Sequence, residues 1–185
     1  MAMVGWQLIP HSIVVSLSRM HEYINRRNFF LPHLSILYLG IMFSRILVAV
    51  DSSPCGERAL TQAIDLAKRY GAKLIILHVI VRRLYAVTPS EAGVLATAVF
   101  VKEVETEGKI IISKAEEAAR VSGVDYVCKI VQGVPADEIL KTAQQERVDL
   151  IVVGSRGLTD VKAFLLGSVS SKISHRSKCP ILIIK

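Results

Sequence analysis

Five stretches of the chain are mainly apolar and do not alternate: Ile46-Leu-Val-Ala-Val50, Leu74-Ile-Ile-Leu77 within Lys73–Ile80, Tyr126–Val131, Leu150-Ile-Val-Val153 after Asp149, and Ile181-Leu-Ile-Ile184. A run that does not alternate has no face to give to water, so each reads as a strand covered on both sides. Lys129 in the third run marks a partly exposed edge. Between the runs the period changes to that of a helix. From Pro54 to Tyr70, residues Ala59, Leu60, Ala63, Ile64, Ala67 and Tyr70 fall on one stripe. Ser53 suits the cap of that helix, Pro54 its first position and Gly71 the residue just past its end. A long helix is expected from Ser90 to about Ser122, although Gly108 inside it argues against continuity. A short helix follows Pro135, with Asp137 and Glu138 in its first turn where negative charge suits the dipole. Arg82–Pro89 has no period and reads as loop.

Strands alternating with helices imply a single α/β domain of three layers, α/β/α, with parallel strands and right-handed crossovers. In such a sheet, ligands lie outside the carboxyl ends of the strands where the chain order reverses. The first strand ends at Asp51 and the fourth at Gly154. If the two are neighbours, a carboxylate and a glycine-bearing loop face each other. That loop reads Gly154-x-x-Gly157, nine further residues, then Gly167-Ser168, and Ser168 opens a segment that is helical to about Arg176. Glycines let backbone N–H groups approach a ligand, and the first N–H groups of a helix have no internal partner, so the arrangement suits an anionic oxygen. Arg156 adds positive charge beside it. Neither G-x-x-x-x-G-K-[ST] nor G-x-G-x-x-G is present, which excludes the common P-loop and gives no support to a dinucleotide fingerprint.

Composition narrows the function classes. The 185 residues are 51% hydrophobic and 21% charged, enough for one domain with a real core. The formal net charge of +7 is spread along helices with acids interleaved. With only 6% aromatic residues and no basic block, a nucleic-acid partner is not expected. Cys55, Cys128 and Cys179 are odd in number and widely spaced. They make neither a disulfide framework nor a zinc site, and a reducing, cytoplasmic setting is expected.

Residues 1–41 differ from the rest, carrying three of the five histidines and few acids. They read as an N-terminal extension outside the fold, with the domain spanning 42–185. Arg26-Arg27 precedes an apolar stretch through residues 29–43 that is broken by Pro32, His33 and Ser35 and is short of the ~20 residues a spanning helix needs. Membrane contact through residues 29–43 is the alternative to a soluble extension.

Several features in order resemble the universal stress protein family, in its ATP-binding branch: Val48-Ala-Val-Asp51 with Ser52-Ser53, Leu77-His78-Val79, Gly133-x-Pro135, the spaced glycines, and Cys179-Pro180 before the last strand. The resemblance covers Met42 to Lys185. It implies an adenine nucleotide alpha hydrolase-like fold, a five-stranded parallel sheet in the order 3-2-1-4-5. It also implies ATP, or ADP or AMP, bound with Mg²⁺ at the ends of strands one and four. Carried onto this sequence, Asp51 meets the ribose or a phosphate-bound Mg²⁺. Ala49 and Val79 flank the adenine, and Val153 and Gly154 lie along the nucleoside. Gly157, Gly167, Ser168 and Ser170 hold the phosphates. Asp51 has a second reading as a turn residue closing its strand.

No general base is evident beside this loop. His78, in an apolar strand, reads as a hydrogen-bonded core histidine, and Cys55 as an inert thiol near a helix start. A dimeric nucleotide-binding module for stress response or signalling, with at most slow ATP hydrolysis, is the expected function. A Mg²⁺-dependent ATPase or nucleotidyl- or phosphotransferase is the alternative. Ile181–Ile184 lies at a sheet edge in the implied order, and an apolar edge invites a second chain, so a homodimer through that strand is expected.

Overall fold

The computed structural model describes residues 13–16, 43–81, 91–157 and 166–185. In chain order the elements are β1 (Ile13–Ser16), β2 (Arg45–Ala49), α1 (Pro54–Tyr70), β3 (Lys73–Val81), α2 (Glu91–Ser122), β4 (Tyr126–Gly133), α3 (Pro135–Gln145), β5 (Leu150–Gly154), α4 (Ser168–Arg176) and β6 (Ile181–Ile184). They form one sheet in the order β1-β6-β5-β2-β3-β4. The five strands from β2 onward are parallel to their neighbours, so by chain order their sequence across the sheet is 3-2-1-4-5.

The unbroken apolar runs are explained by the two cores they fill. On one face Ile46, Val48, Leu74, Ile76, Leu150 and Val152 meet the alanine stripe of α1 (Ala59, Ala63, Ala67) and Ile112, Ala115 and Ala119 of α2. On the other, the alternate residues Leu47, Ile75, Leu77, Ile151, Val153 and Ile183 meet Ala136, Ile139 and Ala143 of α3 and Ile173 of α4. Each strand residue goes to the face its parity dictates, and both faces are dry.

Helix α1 has the predicted bounds and caps. The Ser53 side chain accepts from the Gly56 N–H, and Gly71 closes the helix in the left-handed region at φ 61°. Gly108 does not interrupt α2. A Cβ there would lie 3.1 Å from His78 Cδ2 and 3.3 Å from Ile80 Cδ1, so the missing side chain is what lets α2 approach β3. At the amino end of the sheet, the buried Asp149 accepts from Ser44 N (2.9 Å), Ser44 Oγ (2.6 Å) and Arg45 N (3.0 Å). That carboxylate ties the start of β5 to the start of β2 and fixes their register.

Two expectations meet a different outcome at the sheet edge. Residues 13–16 are not outside the sheet: β1 pairs antiparallel with β6, Ile13 opposite Ile184 and Ser16 opposite Ile181. The outer edge of Ile181–Ile184 is therefore paired within the chain, and the exposed edge on which the dimer was argued is covered. Residues 29–42 of the proposed membrane segment, and the Arg82–Pro89 loop, lie outside the described residues. Among the described residues no helix is long and apolar enough to cross a membrane.

Candidate nucleotide site

The order of the strands reverses at β2, which lies between β3 and β5, so the carboxyl ends of β2 and β5 open side by side. Beyond β2 the chain stays tied to the sheet: Val50 N donates to Leu77 O, and the Val50 carbonyl pairs with His78 Nδ1 at 2.9 Å. His78 is thus the hydrogen-bonded histidine expected, although it also lines the cavity described below. Asp51 follows. Its Oδ1 accepts from Ser53 N (3.1 Å) and Ser53 Oγ (2.5 Å), the local turn that starts α1. Its Oδ2 faces the opposite way, 3.0 Å from where a Cβ on Gly157 would stand.

The end of β5 is pressed against α1. A Cβ on Gly154 would come within 2.9 Å of the Cys55 carbonyl carbon and 3.0 Å of Cys55 Cβ. Ser155 then fixes both ends of the glycine loop. Its N–H donates to Ile184 O at 2.6 Å, and its carbonyl accepts from Gly167 N at 2.7 Å and from Ser170 Oγ at 3.0 Å. The chain leaves Ser155 and returns to it after the loop. Two expected donors are therefore committed to the scaffold. The Gly167 N–H is not free for a ligand, and the buried Ser170 hydroxyl is shared between the Ser155 and Gly167 carbonyls. The open donors at this end belong to the first turn of α4, which begins at the exposed Ser168 with no side-chain cap from Gly167.

A cavity of about 500 Å³ covers these strand ends, and all ten residues named from sequence line it: Ala49, Asp51, Val79, Val153, Gly154, Arg156, Gly157, Gly167, Ser168 and Ser170. That volume suits a small organic ligand. The wall also contains residues the sequence did not assign to the site, among them Val104, Glu107 and Gly108 of α2 and Pro135 and Ile139 of α3. No motif marks the α2 residues or Ile139, and Pro135 was read only as part of Gly133-x-Pro135 and as a helix start. They reach the cavity because α2 packs on β3 and α3 on the opposite face, and the one available signal was Gly108. The cavity is chemically graded. Aliphatic side chains of β2, β3 and β5 make an apolar slot, Asp51 and Glu107 supply acceptors, and Arg156 with the start of α4 supplies positive charge. Among the described residues no group of three or more His, Cys, Asp or Glu gathers to hold a metal. The nearest fit for Mg²⁺ is the single Oδ2 of Asp51, which matches an ion bound mainly through ligand phosphates.

Residues 42–185 match the sequence profile of the universal stress protein family. The universal stress protein YxiE of Bacillus subtilis (strain 168) is 42% identical over 149 residues, covering 78% of this chain and all of that one. The solved structure of MJ0577, described with it as a hypothetical protein, superposes with a TM-score of 0.63 at 30% identity over 78% of this chain and 97% of the other. A universal stress protein solved in complex with cAMP gives 0.58 at 28% identity, over 78% and 98%. With the fold, the strand order and the profile in agreement over 144 residues, the chain belongs to the universal stress protein family.

Proposed function

We propose that this chain is an ATP-binding module whose nucleotide occupancy serves stress response or signalling in the cytoplasm, with at most slow hydrolysis. The observation that carries the reading is the convergence of the nine family-matched positions, and of Arg156 chosen for its charge, on one cavity at the sheet's switch point. A relative solved with cAMP supports an adenine nucleotide as the ligand class. Ala49 and Val79 flank the base, and Val153 and Gly154 run along the nucleoside. Gly157, Ser168 and Arg156 meet the phosphates, with Gly167 and Ser170 shaping the loop from behind. Asp51 Oδ2 takes a ribose hydroxyl, or Mg²⁺ when the ion arrives on the phosphates. Three free cysteines fit a reducing compartment.

Purification of the full chain followed by nucleotide extraction and mass analysis tests the reading. Bound ATP or ADP is expected, and Gly157→Val with Gly167→Val is expected to abolish it. Retention of nucleotide by the double variant would show the site to be elsewhere.

A second reading, a Mg²⁺-dependent ATPase or phosphotransferase, gains one specific observation: Glu107 places a second carboxylate on the wall of the cavity. Phosphate release with Mg²⁺ that collapses in Glu107→Gln would favour it over a binding module. The homodimer through Ile181–Ile184 belongs to the first reading under one condition. Because β1 occupies that edge, a second chain pairs there only after β1 has left.

A further inference from the structure

The Ser53 hydroxyl has one proton and stands among three groups. It accepts from Gly56 N at 3.0 Å, and lies 2.5 Å from Asp51 Oδ1 and 3.3 Å from the Arg156 carbonyl. The nearer, charged oxygen takes the proton. Ser53 is 2% exposed, so water does not compete. The hydroxyl therefore caps α1 and is the shorter of two Ser53 donors, with the backbone N–H at 3.1 Å, that clamp the Asp51 carboxylate. The clamp also determines which oxygen is offered to the cavity. Oδ1 is closed off by the first turn of α1, where a Cβ on Gly56 would collide with it. Oδ2 is left on the side of Gly157 and the loop.

We propose that Ser53 is a positioning residue that makes Asp51 a one-oxygen acceptor for a ligand sugar hydroxyl, and that it sets the preference for ribose over deoxyribose. The inference rests on the nucleotide-binding reading above. A carboxylate free to rotate could satisfy itself with water or with the loop when the hydroxyl is missing. A clamped one is left with an unpaired charged oxygen facing a deoxy ligand, and this penalty is the basis of discrimination.

The test is titration of the full chain with ATP, 2′-deoxyATP and 3′-deoxyATP, in wild type, Ser53→Ala, Ser53→Gly and Ser53→Thr. Wild type should prefer ATP over one of the deoxy analogues by about tenfold or more. Ser53→Ala should weaken ATP while changing that analogue little, so the ratio falls toward one. Ser53→Thr, which keeps the hydroxyl, should restore the ratio. Ser53→Gly covers the case in which Ser53→Ala folds poorly, because glycine is tolerated at a helix cap yet has no hydroxyl to give Asp51, which keeps only the longer backbone N–H bond of residue 53. The ratio is read within one sample, so a change in folded fraction cancels. If the ratio persists in Ser53→Ala and Ser53→Gly, or wild type does not discriminate, the positioning role is refuted and nucleotide binding stands. If wild type takes up none of the three, the underlying reading fails as well.

Discussion

Gly154 and Gly157 sit in the same loop and belong to the same motif, yet alanine should do different things at each. At position 154 the added Cβ would face backbone: the Cys55 carbonyl carbon at 2.9 Å, Cys55 Cβ at 3.0 Å and the Cys55 carbonyl oxygen at 3.1 Å. Carbon atoms in ordinary contact stand about 3.5–4.0 Å apart, so the shortfall is roughly half an ångström or more against atoms that cannot rotate away. Cys55 lies in the first turn of α1, and Ala59 and Ala63 just beyond it are fully buried on the sheet. Relief therefore requires α1 and β5 to part. Overpacking of this kind costs about 1–3 kcal/mol, or a fall of roughly 3–10 °C in Tm for a domain of this size. At position 157, which is exposed, the only neighbour within 4 Å among the described residues is Asp51 Oδ2 at 3.0 Å, the tip of a side chain. Gly157→Ala should leave stability within about 0.5 kcal/mol but weaken nucleotide binding by about tenfold, because it displaces the oxygen offered to the ligand. Thermal melting and nucleotide titration on both variants separate the two. The reasoning is refuted if Gly154→Ala melts with wild type, or if Gly157→Ala melts lower than Gly154→Ala while keeping its affinity.

Asp149→Ala should cost about 3 kcal/mol in denaturant unfolding, since it strands the Ser44 and Arg45 donors that the buried carboxylate satisfies. Glu146 is held below the usual carboxylate range by its hydrogen bond to Lys129 and by the charges of Lys129, Arg45 and Lys73. A depressed acid stabilises above its unfolded pKa and loses that contribution as pH falls through the folded value. The stability gap between wild type and Glu146→Gln should accordingly be at most about 1 kcal/mol at pH 7 and close as pH falls below the usual carboxylate range; a gap that widens in acid would reverse the assignment. Adjacent N–H groups in a strand alternate in direction, so prolines at both Val14 and Val15 must break the pairing of β1 with β6. Light scattering at micromolar concentration should show monomer for the wild-type chain and dimer for that variant; the same mass for both would remove β6 as the dimer surface. Saturating nucleotide should slow hydrogen exchange at the Ser155 and Gly167 amides, which hold the loop ends, more than at Ile151 within β5.

Features encoded within one element were legible in the sequence. The unbroken runs announced strands buried on both faces, and Ser53, Pro54 and Gly71 marked the ends of α1 to the residue. The spaced glycines pointed to one cavity, and every residue they and the family resemblance nominated lines it. What escaped was set by contacts between distant residues, which no period records. Gly108 looked like a break in a helix because its partners, His78 and Ile80, are on another strand. Asp149 looked like the polar start of a strand, whereas its donors lie more than a hundred residues earlier. The short run Ile13-Val-Val-Ser16 carries too little hydrophobic signal to announce a strand, and its partner is at the far end of the chain. Ser170 and Gly167 were nominated for the right neighbourhood, but their donors turned out to be pinned to backbone carbonyls.

The connection between the site and the sheet edge also differs from the one the sequence suggested. Chain order puts α4 between the glycine loop and β6, as if the helix were the link. In space the link is shorter. Ser155 ends the loop's first limb, donates its N–H to Ile184 and takes the Gly167 N–H on its carbonyl, so one residue touches both limbs and the last strand. Helix α1 supplies a second tie, from Arg58 Nε to the Lys185 carbonyl at 2.8 Å, and α1 is itself fixed to the site by Ser53 and by the Cys55 backbone against Gly154. A ligand that draws in the glycine loop therefore acts on Ser155 directly and on the end of β6 one hydrogen bond later, whereas α4, seated on the core by Ile173, has no need to move. Since β6 is also the strand that β1 covers, coupling between nucleotide and assembly would have to pass through the residues at the carboxyl end of the chain, Ile184 and Lys185, and substitutions in α4 would be poor probes of it.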